Sequence, residues 1–340
     1  MTDAVRIIEG PCFEDLRVGQ WLPDPPAVTL TTGHAAWHAA LFGDRLRLPL
    51  SAPLAQAVLG GEAMAAHPAL VCNLVTGQTT YATQEVRANL FYRGLLLRAP
   101  VRIGDTLATR TQVVALRQNR RQEGRPATGI AVLEMDVRDQ RGESVLHFWR
   151  APMIPCRDPQ ADTGHADALD VFPAALDADA LAAAAAPYDI AAFANAVPGA
   201  AAPAAGTRFR VAARDTVTCA PELVRLTLNM ARAHTDAAKS AYGQRLVYGG
   251  HTIALAAAQL TRALPDLVTI LGWHGCDHLA PVFEGDLLGS QITVEAVAPL
   301  SGGGALVDLK VEVTAERAPT APDPGSTATV LDWRLVALAP

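Results

Sequence analysis

The chain has 340 residues, of which 50% are hydrophobic and 18% charged, so it is globular and able to bury a sizeable core. A formal net charge of -6 and a pI near 5.8 exclude the electrostatic footprint of a nucleic-acid partner. The length predicts two domains of ordinary size. No apolar run of about 18 residues is present, so no membrane span is expected.

The five cysteines are scattered and form no CxxC pair, which indicates free thiols in a reducing compartment. The first residues lack the basic and apolar regions of a secretory signal. We therefore expect a cytoplasmic protein that has no disulfide framework, no metal and no cofactor.

One pattern of strands occurs twice along the chain. The segment APVRIGDTL at 99–107 is matched by APVFEGDLL at 280–288. Each is followed by alternating apolar positions, which are typical of half-buried strands. The further matching runs are GIAVLEMDV at 129–137 with GALVDLKVEV at 304–313, and VLHFWR at 145–150 with VLDWR at 330–334. The sequence therefore predicts two copies of one structural unit.

The copies are separated by a segment rich in Ala, Pro, Gly and Asp. This composition predicts a linker over 157–206, with one helix around 177–186, and a linker need not carry chemistry. The first unit is then 1–156, and the second is 207–340.

Each copy is predicted to contain a helix, a loop, an apolar helix and then antiparallel strands. The second copy has the clearer pattern, with a helix at 220–233, a loop at 234–250, a buried helix at 252–263 and strands from about 268. In the first copy the apolar helix is placed near 52–66. A helix wrapped by an antiparallel sheet is an α+β arrangement. We expect the two sheets to join edge to edge, because a lone open sheet leaves a strand edge unpaired.

The stretch NMARAHTDAAKSAYGQRLVYGGHTIAL at 229–255, followed by APVFEGDLL, resembles the MaoC-like (R)-specific enoyl-CoA hydratases. That family has the hotdog fold, so the two copies imply a double hotdog. The sequence of this stretch is most similar to mesaconyl-CoA hydratase-like proteins and to actinobacterial double-hotdog dehydratases. The resemblance covers nearly the whole chain apart from the linker.

The resemblance implies a hydro-lyase that adds water reversibly, in the syn sense, to the double bond of a short or polar 2-enoyl-CoA. The histidine of the family's loop motif falls on His234, and the glycine that begins the central helix falls on Gly250. The family's aspartate falls on Asn229, which is a departure. Since an amide cannot take up a proton at neutral pH, the role of base shifts toward His234.

Five further residues are expected to contact the acyl-CoA thioester, either in the YGGH turn or close to the same cleft. They are Arg245, Tyr248, Gly249, His251 and His278. Arg245 is the first candidate for the CoA phosphates. For His278, a solvated strand start is the competing interpretation. Asp236 is an alternative carboxylate or a loop-surface residue.

A cluster of two histidines and an aspartate lies between 274 and 278. The spacing of His274 and Asp277 places their side chains on opposite faces of an extended segment. No third ligand of defined spacing follows, which argues against a metal site.

In the first copy the same loop reads ALFGDRLRLPL at 40–50. It places Asp44 at the aspartate position and Pro49 at the histidine position, so the water-activating pair is expected to be absent. This half is predicted to shape the acyl pocket. Asp44 would then cap a loop or pair with Arg45 or Arg47.

Two other functions remain open: a non-catalytic acyl-thioester-binding protein, and a thioesterase of the same fold. Assembly as a homodimer is also open.

Overall fold

The computed structural model describes residue 5 and residues 8–340. Its main feature is one antiparallel sheet, in the order β1-β3-β4-β5-β2-β8-β11-β10-β9-β6, with β7 beside β9. The strands are β1 (Val28–Thr29), β2 (Ala88–Leu97), β3 (Thr106–Gln118), β4 (Thr128–Arg138), β5 (Ser144–Pro155), β6 (Arg208–Arg210), β7 (Asp215–Thr216), β8 (Thr269–His278), β9 (Leu287–Pro299), β10 (Ala305–Glu316) and β11 (Thr327–Ala339).

The strand order is symmetric about the β2–β8 pair. The first half contributes β3-β4-β5-β2, and the second half contributes β8-β11-β10-β9. Strands β2 and β8 pair directly, with Tyr92 opposite Cys276. The repeated APV motifs precede β3 and β9, which occupy equivalent positions. The predicted joining of two equivalent sheets is therefore confirmed.

Eight α-helices lie in the described residues. They are α1 (Thr32–Phe42), α2 (Arg47–Leu50), α3 (Ala52–Leu59), α4 (Pro68–Gln78), α5 (Ala178–Ala185), α6 (Ile190–Ala196), α7 (Ala220–Leu226) and α8 (Gly249–Ala263). Short 3-10 turns are formed by Phe13–Asp15, Thr79–Thr83, Arg232–His234 and Ala237–Lys239. No helix among the described residues has both the length and the apolar character needed to cross a bilayer.

Helices α4 and α8 are the two central helices, one in each half. Every residue of α4 is buried, and α8 is buried without interruption from Gly250 to Thr261. A helix that is apolar on all sides belongs in a core, where the sheet wraps around it. Proline suits the first turn of α4, where its missing N–H has no intrahelical role, and Pro265 follows closely on α8.

The prediction that the first central helix lies near 52–66 is wrong. Helix α3 occupies only the start of that range and buries one face, through Leu54, Ala55 and Val58. It stops at Gly60 and Gly61, whose φ angles of 66° and 70° suit glycine. The central helix begins at Pro68, at the same number of residues before Ala99 as Gly249 lies before Ala280.

The helix predicted at 220–233 is also shorter than expected, because α7 ends at Leu226. Leu228 then takes a left-handed conformation, with φ of 56°. That conformation costs a residue other than glycine about 1 to 2 kcal/mol, and it turns the chain into the loop that follows.

The linker contains the predicted helix as α5, and a second one, α6, that was not predicted. Leu181 of α5 and Phe193 of α6 join Val58 of α3 in a small core of their own. That core includes Leu96 and Leu271, whereas the central core takes Leu95 and Leu97. Because adjacent strand residues point to opposite faces, the linker covers the face of the sheet that is turned away from the central helices. The division into 1–156, 157–206 and 207–340 stays a proposal.

Candidate active site

The loop that follows α7 is fastened to the first half of the molecule. The Met230 amide donates to Thr80 Oγ1 at 2.9 Å, and the Arg232 amide donates to the Gln84 carbonyl at 2.9 Å. Asn229 closes a local turn, since its Oδ1 accepts the Ala231 amide at 2.9 Å. The side-chain oxygen Oδ1 of Asn229 thus has a hydrogen-bond partner, and the side-chain NH₂ group remains as a donor.

His234 has a defined tautomer. Its Nδ1 lies 2.8 Å from the Leu246 carbonyl oxygen, which can only accept, so Nδ1 carries the hydrogen and Nε2 has a free lone pair. The residue is 9% exposed. Burial lowers the pKa of His234 to about 4, with the Leu246 hydrogen bond opposing the shift. The imidazole is therefore neutral at pH 7 and able to accept a proton.

A cavity of about 220 Å³ lies between the two halves, at the beginning of α8. Five of the predicted site residues border it: Asn229, His234, Tyr248, Gly249 and His278. The first half contributes much of the remaining wall. Its residues are Thr76, Thr80, Thr83, Val86, Arg87, Ala88, Asn89, Leu90, Tyr92 and Arg150.

The two glycines that begin α8 have different surroundings. A Cβ on Gly249 would lie 2.5 Å from Cε1 of His278. A Cβ on Gly250 would lie 2.0 Å from Oδ1 of Asn73, in α4. Gly249 therefore borders the cavity, whereas Gly250 is the contact between the central helices. Both belong to the first turn of α8, where amides lack intrahelical partners and favour negative charge.

His278 is not a solvated strand start. Its ring lies against Gly249, and its Nε2 is shielded from solvent and has no hydrogen-bond partner within residue 5 and residues 8–340. Burial is the main cause that lowers the pKa of His278 to about 4. The cavity thus contains two neutral imidazoles, of which His234 is the one held in place by a hydrogen bond.

Arg245 and His251 do not border the cavity. Arg245 is half-exposed and forms an ion pair with Glu284. His251 is buried, with Nε2 2.9 Å from the Thr218 carbonyl oxygen. Asp236 is exposed and accepts the Ala238 amide at 2.9 Å, as expected of a loop-surface aspartate.

The predicted cluster near 274 is also dispersed. His274 Nε2 contacts Asp308 at 2.9 Å, and Asp277 pairs with Arg93 at 2.5 Å. Among the described residues, no group of three or more His, Cys, Asp or Glu side chains is placed to hold a metal ion.

Sequence reasoning missed the residues that the first half contributes to the cavity. Arg150 is only 3% exposed, and its Nη2 donates to the Thr79 carbonyl oxygen at 2.9 Å. Tyr92 is fully buried, and burial raises its pKa to about 12. One signal was available: Arg150 is a charged residue inside the apolar run HFWRAPMI, where strands seldom place an unpaired charge.

The equivalent site of the first half is closed. Asp44 does not pair with Arg45 or Arg47, because its Oδ2 lies 3.1 Å from Nε2 of His67 and its Oδ1 accepts from Leu46 N and Thr261 Oγ1. An Asp–His pair therefore exists there, contrary to expectation, with the histidine coming from the start of α4. The carboxylate is buried, and His67 helps to lower its pKa to about 2.

The cavity at the start of α4 measures only about 20 Å³, roughly the room of one water molecule, and neither Asp44 nor His67 borders it. Its wall includes Pro49, the APV motif of the first half, and Tyr188 from the linker. Tyr188 lies between α5 and α6, so the linker closes the second cleft. The linker has a structural role at this cleft that its composition did not reveal.

A family model described as mesaconyl-CoA hydratase matches residues 3–266. The chain belongs to this family. Beta-methylmalyl-CoA dehydratase of Chloroflexus aurantiacus is 30% identical over 320 residues, which cover 91% of this chain and 88% of that protein. The predicted family resemblance and the predicted enzyme class, a hydro-lyase, are confirmed.

Two solved structures are similar over nearly the full length. Rv0216 of Mycobacterium tuberculosis, described as having a double hotdog fold, is 45% identical with a TM-score of 0.87, and the match covers 97% of this chain and 98% of that one. A MaoC domain protein of Chloroflexus aurantiacus is 27% identical with a TM-score of 0.82, and 99% of each chain is covered. The predicted double hotdog is confirmed for this member of the mesaconyl-CoA hydratase family.

Proposed function

We propose that the chain adds water reversibly, in the syn sense, to the double bond of a short or polar 2-enoyl-CoA, with His234 as the catalytic base. The observation that carries the proposal is the neutral His234 imidazole, whose free Nε2 belongs to a cavity at the start of α8. A cavity of about 220 Å³ is small beside usual ligand pockets of about 300 to 1,000 Å³, which favours a short acyl group.

Each step of hydration has a group to perform it. The Asn229 NH₂ donates to the water oxygen, and Nε2 of His234 accepts a water proton as the oxygen attacks the β-carbon. The thioester oxygen gains negative charge, which first-turn amides of α8 stabilise. The His234 imidazolium then returns the proton to the α-carbon on the same face, which gives syn addition. A buried imidazolium with a pKa near 4 is a strong enough acid for that step.

The thioester is proposed to reach this position through the cleft between the halves. Tyr248, Gly249 and His278 would contact the acyl thioester, since they border the cavity. Arg87 is exposed at the cavity wall and joins Arg245 as a candidate for the CoA phosphates. His251 would act indirectly, by holding the start of α8 against Thr218.

A spectroscopic assay separates this proposal from the alternatives of a binding protein or a thioesterase. Purified protein mixed with crotonyl-CoA or mesaconyl-CoA should remove the absorbance of the enoyl thioester without releasing free CoA thiol. Thiol release would indicate a thioesterase. Saturable binding with no change in absorbance for either thioester would indicate a binding protein.

Exchanging Asn229 for aspartate tests its positioning role. In Asn229→Asp one carboxylate oxygen can still accept the Ala231 amide, so the loop turn should survive, and the other oxygen can accept a proton from water. We expect hydration of crotonyl-CoA to be retained or raised, whereas Asn229→Ala should lose about tenfold to a hundredfold. A loss in Asn229→Asp as large as in Asn229→Ala would show that the donor NH₂ is essential.

The low pKa of His234 predicts the acid limb of the pH profile. Because the base must be neutral, kcat/KM for hydration should stay level from pH 7 to about 5 and fall toward pH 4. An acid limb near pH 6.5 would contradict a buried catalytic base.

The low pKa of His234 should also make the stability of the protein depend on pH. The folded pKa of about 4 lies below the usual 6.5, so the unfolded chain binds more protons between these values. The free energy of unfolding should therefore decrease as the pH falls from about 6.5 to 4, and His251 and His278, each with a pKa of about 4, add to the loss. Calorimetry at several pH values would measure it.

A further inference from the structure

Arg150 is a buried cation that has no acidic partner among the residues that the structure describes. It lies in β5, and its residue surface is 3% exposed. The ion pairs found among the described residues do not include it. The ionisable groups that act on it are Tyr92 and Tyr248, and burial raises the pKa of both phenols, so they are neutral at pH 7.

The guanidinium group of Arg150 is nonetheless held in one orientation. Nη2 donates to the Thr79 carbonyl oxygen at 2.9 Å and to Thr83 Oγ1 at 3.3 Å, which fixes the plane of the group. Nε is shielded from solvent and has no hydrogen-bond partner in the described part of the chain. Burial lowers the pKa of Arg150, but arginine remains protonated in proteins. A fixed charge with donors unused is therefore held at the wall of the catalytic cavity.

An unpaired buried charge is costly to a folded protein, because the lost hydration is not replaced. A planar guanidinium matches a carboxylate, which can accept two parallel hydrogen bonds from it. Tyr92, Tyr248 and Thr76 border the same cavity and offer hydroxyl groups. The Tyr248 hydroxyl already donates to the Asn73 carbonyl oxygen at 3.2 Å, so the groups that an uncharged acyl chain would leave without a partner are the unused guanidinium donors of Arg150.

We propose that Arg150 binds a carboxylate at the far end of the substrate's acyl group, and that the first half of the molecule thereby sets the specificity of a reaction carried out by the second half. The inference deepens the proposed hydratase function and rests on it. The two halves then have different roles. His234 and α8 of the second half carry out the reaction, and β5, β2 and α4 of the first half select the acyl group.

Two saturated thioesters of equal carbon number test the proposal by binding alone. Succinyl-CoA ends in a carboxylate, butyryl-CoA ends in a methyl group, and neither has a double bond to hydrate. Calorimetric titration of the wild-type protein should show about 10²-fold to 10³-fold tighter binding of succinyl-CoA, the range of a buried charge-assisted contact. Equal or tighter binding of butyryl-CoA by the wild type would overturn the proposal.

Variants locate the effect. Arg150→Met should reduce the preference for succinyl-CoA to about onefold or below, and Arg150→Lys should leave an intermediate preference, since it keeps the charge and loses the fork. Arg87→Met is the matched control, an exposed arginine of the same cavity wall, and should weaken both thioesters alike. An undiminished preference in folded Arg150→Met would also overturn the proposal.

The outcome is separable from the fate of the proposed function. If no enoyl-CoA is hydrated but the binding preference is present and depends on Arg150, the carboxylate site stands and the hydratase assignment fails. If hydration occurs and the preference is absent, the reverse holds.

Discussion

Replacing His234 with alanine should lower the rate of enoyl-CoA hydration by about 10²-fold to 10⁴-fold, the usual effect of removing a general base. The reason is that Nε2 of His234 is the free imidazole nitrogen whose ring is fixed in the cavity by a hydrogen bond. Stopped-flow or steady-state measurement of enoyl-thioester absorbance gives the rate, and binding of butyryl-CoA should persist.

The alanine variant also removes the donor that satisfies the Leu246 carbonyl oxygen, which costs about 1 to 3 kcal/mol of stability. His234→Asn controls for this loss, because its side-chain NH₂ can take the place of Nδ1–H and still provides no base. Both variants should be inactive although only one is destabilised. Wild-type turnover in a folded variant would exclude His234 and direct attention to His278.

Replacing Gly77 with alanine should destabilise the protein by about 2 to 3 kcal/mol and slow hydration by up to about 10²-fold. A Cβ at Gly77 would lie 1.9 Å from the carbonyl oxygen of Thr227, a backbone atom at the end of α7. Relief requires α4 and α7 to separate, and Thr227 stands only two residues before Asn229. The loop that carries Asn229 and His234 would shift with it.

Gly302→Ala is the control for Gly77→Ala. A Cβ at Gly302 would meet no atom within 4 Å, and its φ is not in the left-handed region. Its melting temperature and activity should equal those of the wild type. A Gly77→Ala protein with wild-type stability would show that the contact between α4 and α7 is not tight.

Much of the architecture could be predicted from the sequence because the same pattern of strands occurs in both halves. In a half-buried strand apolar and polar residues alternate, and this alternation is still recognisable although the sequences of the two halves differ. The two APV motifs and the runs after them therefore located equivalent strands in both halves. The error at 52–66 arose because α3 also has an apolar face. Hydrophobicity alone does not separate a surface helix with one buried face from a helix buried on all sides, whereas the common spacing from Pro68 and Gly249 to the APV motifs does.

The site was predictable only where it lies on one continuous stretch. Asn229, His234, Tyr248 and Gly249 belong to such a stretch, and the fold brings them to the same cavity. Arg150 is distant in sequence, and only the pairing of β2 with β5 on one side and β8 on the other places it there. Tyr188 escaped notice for the same reason, since what it fills is set by tertiary packing.

The seam between β2 and β8 has a consequence for how the chain tolerates mutation. A duplicated domain whose own cleft is closed would ordinarily be free to accumulate substitutions. Here its strand β2 pairs with the sheet of the second half, and its side chains form much of the wall of the cavity that contains His234. Substitutions in the first half therefore affect the active site, through the cavity wall that both halves form and through the hydrogen bonds between β2 and β8. Selection should constrain both halves of the gene almost equally, although only one of them carries the proposed base.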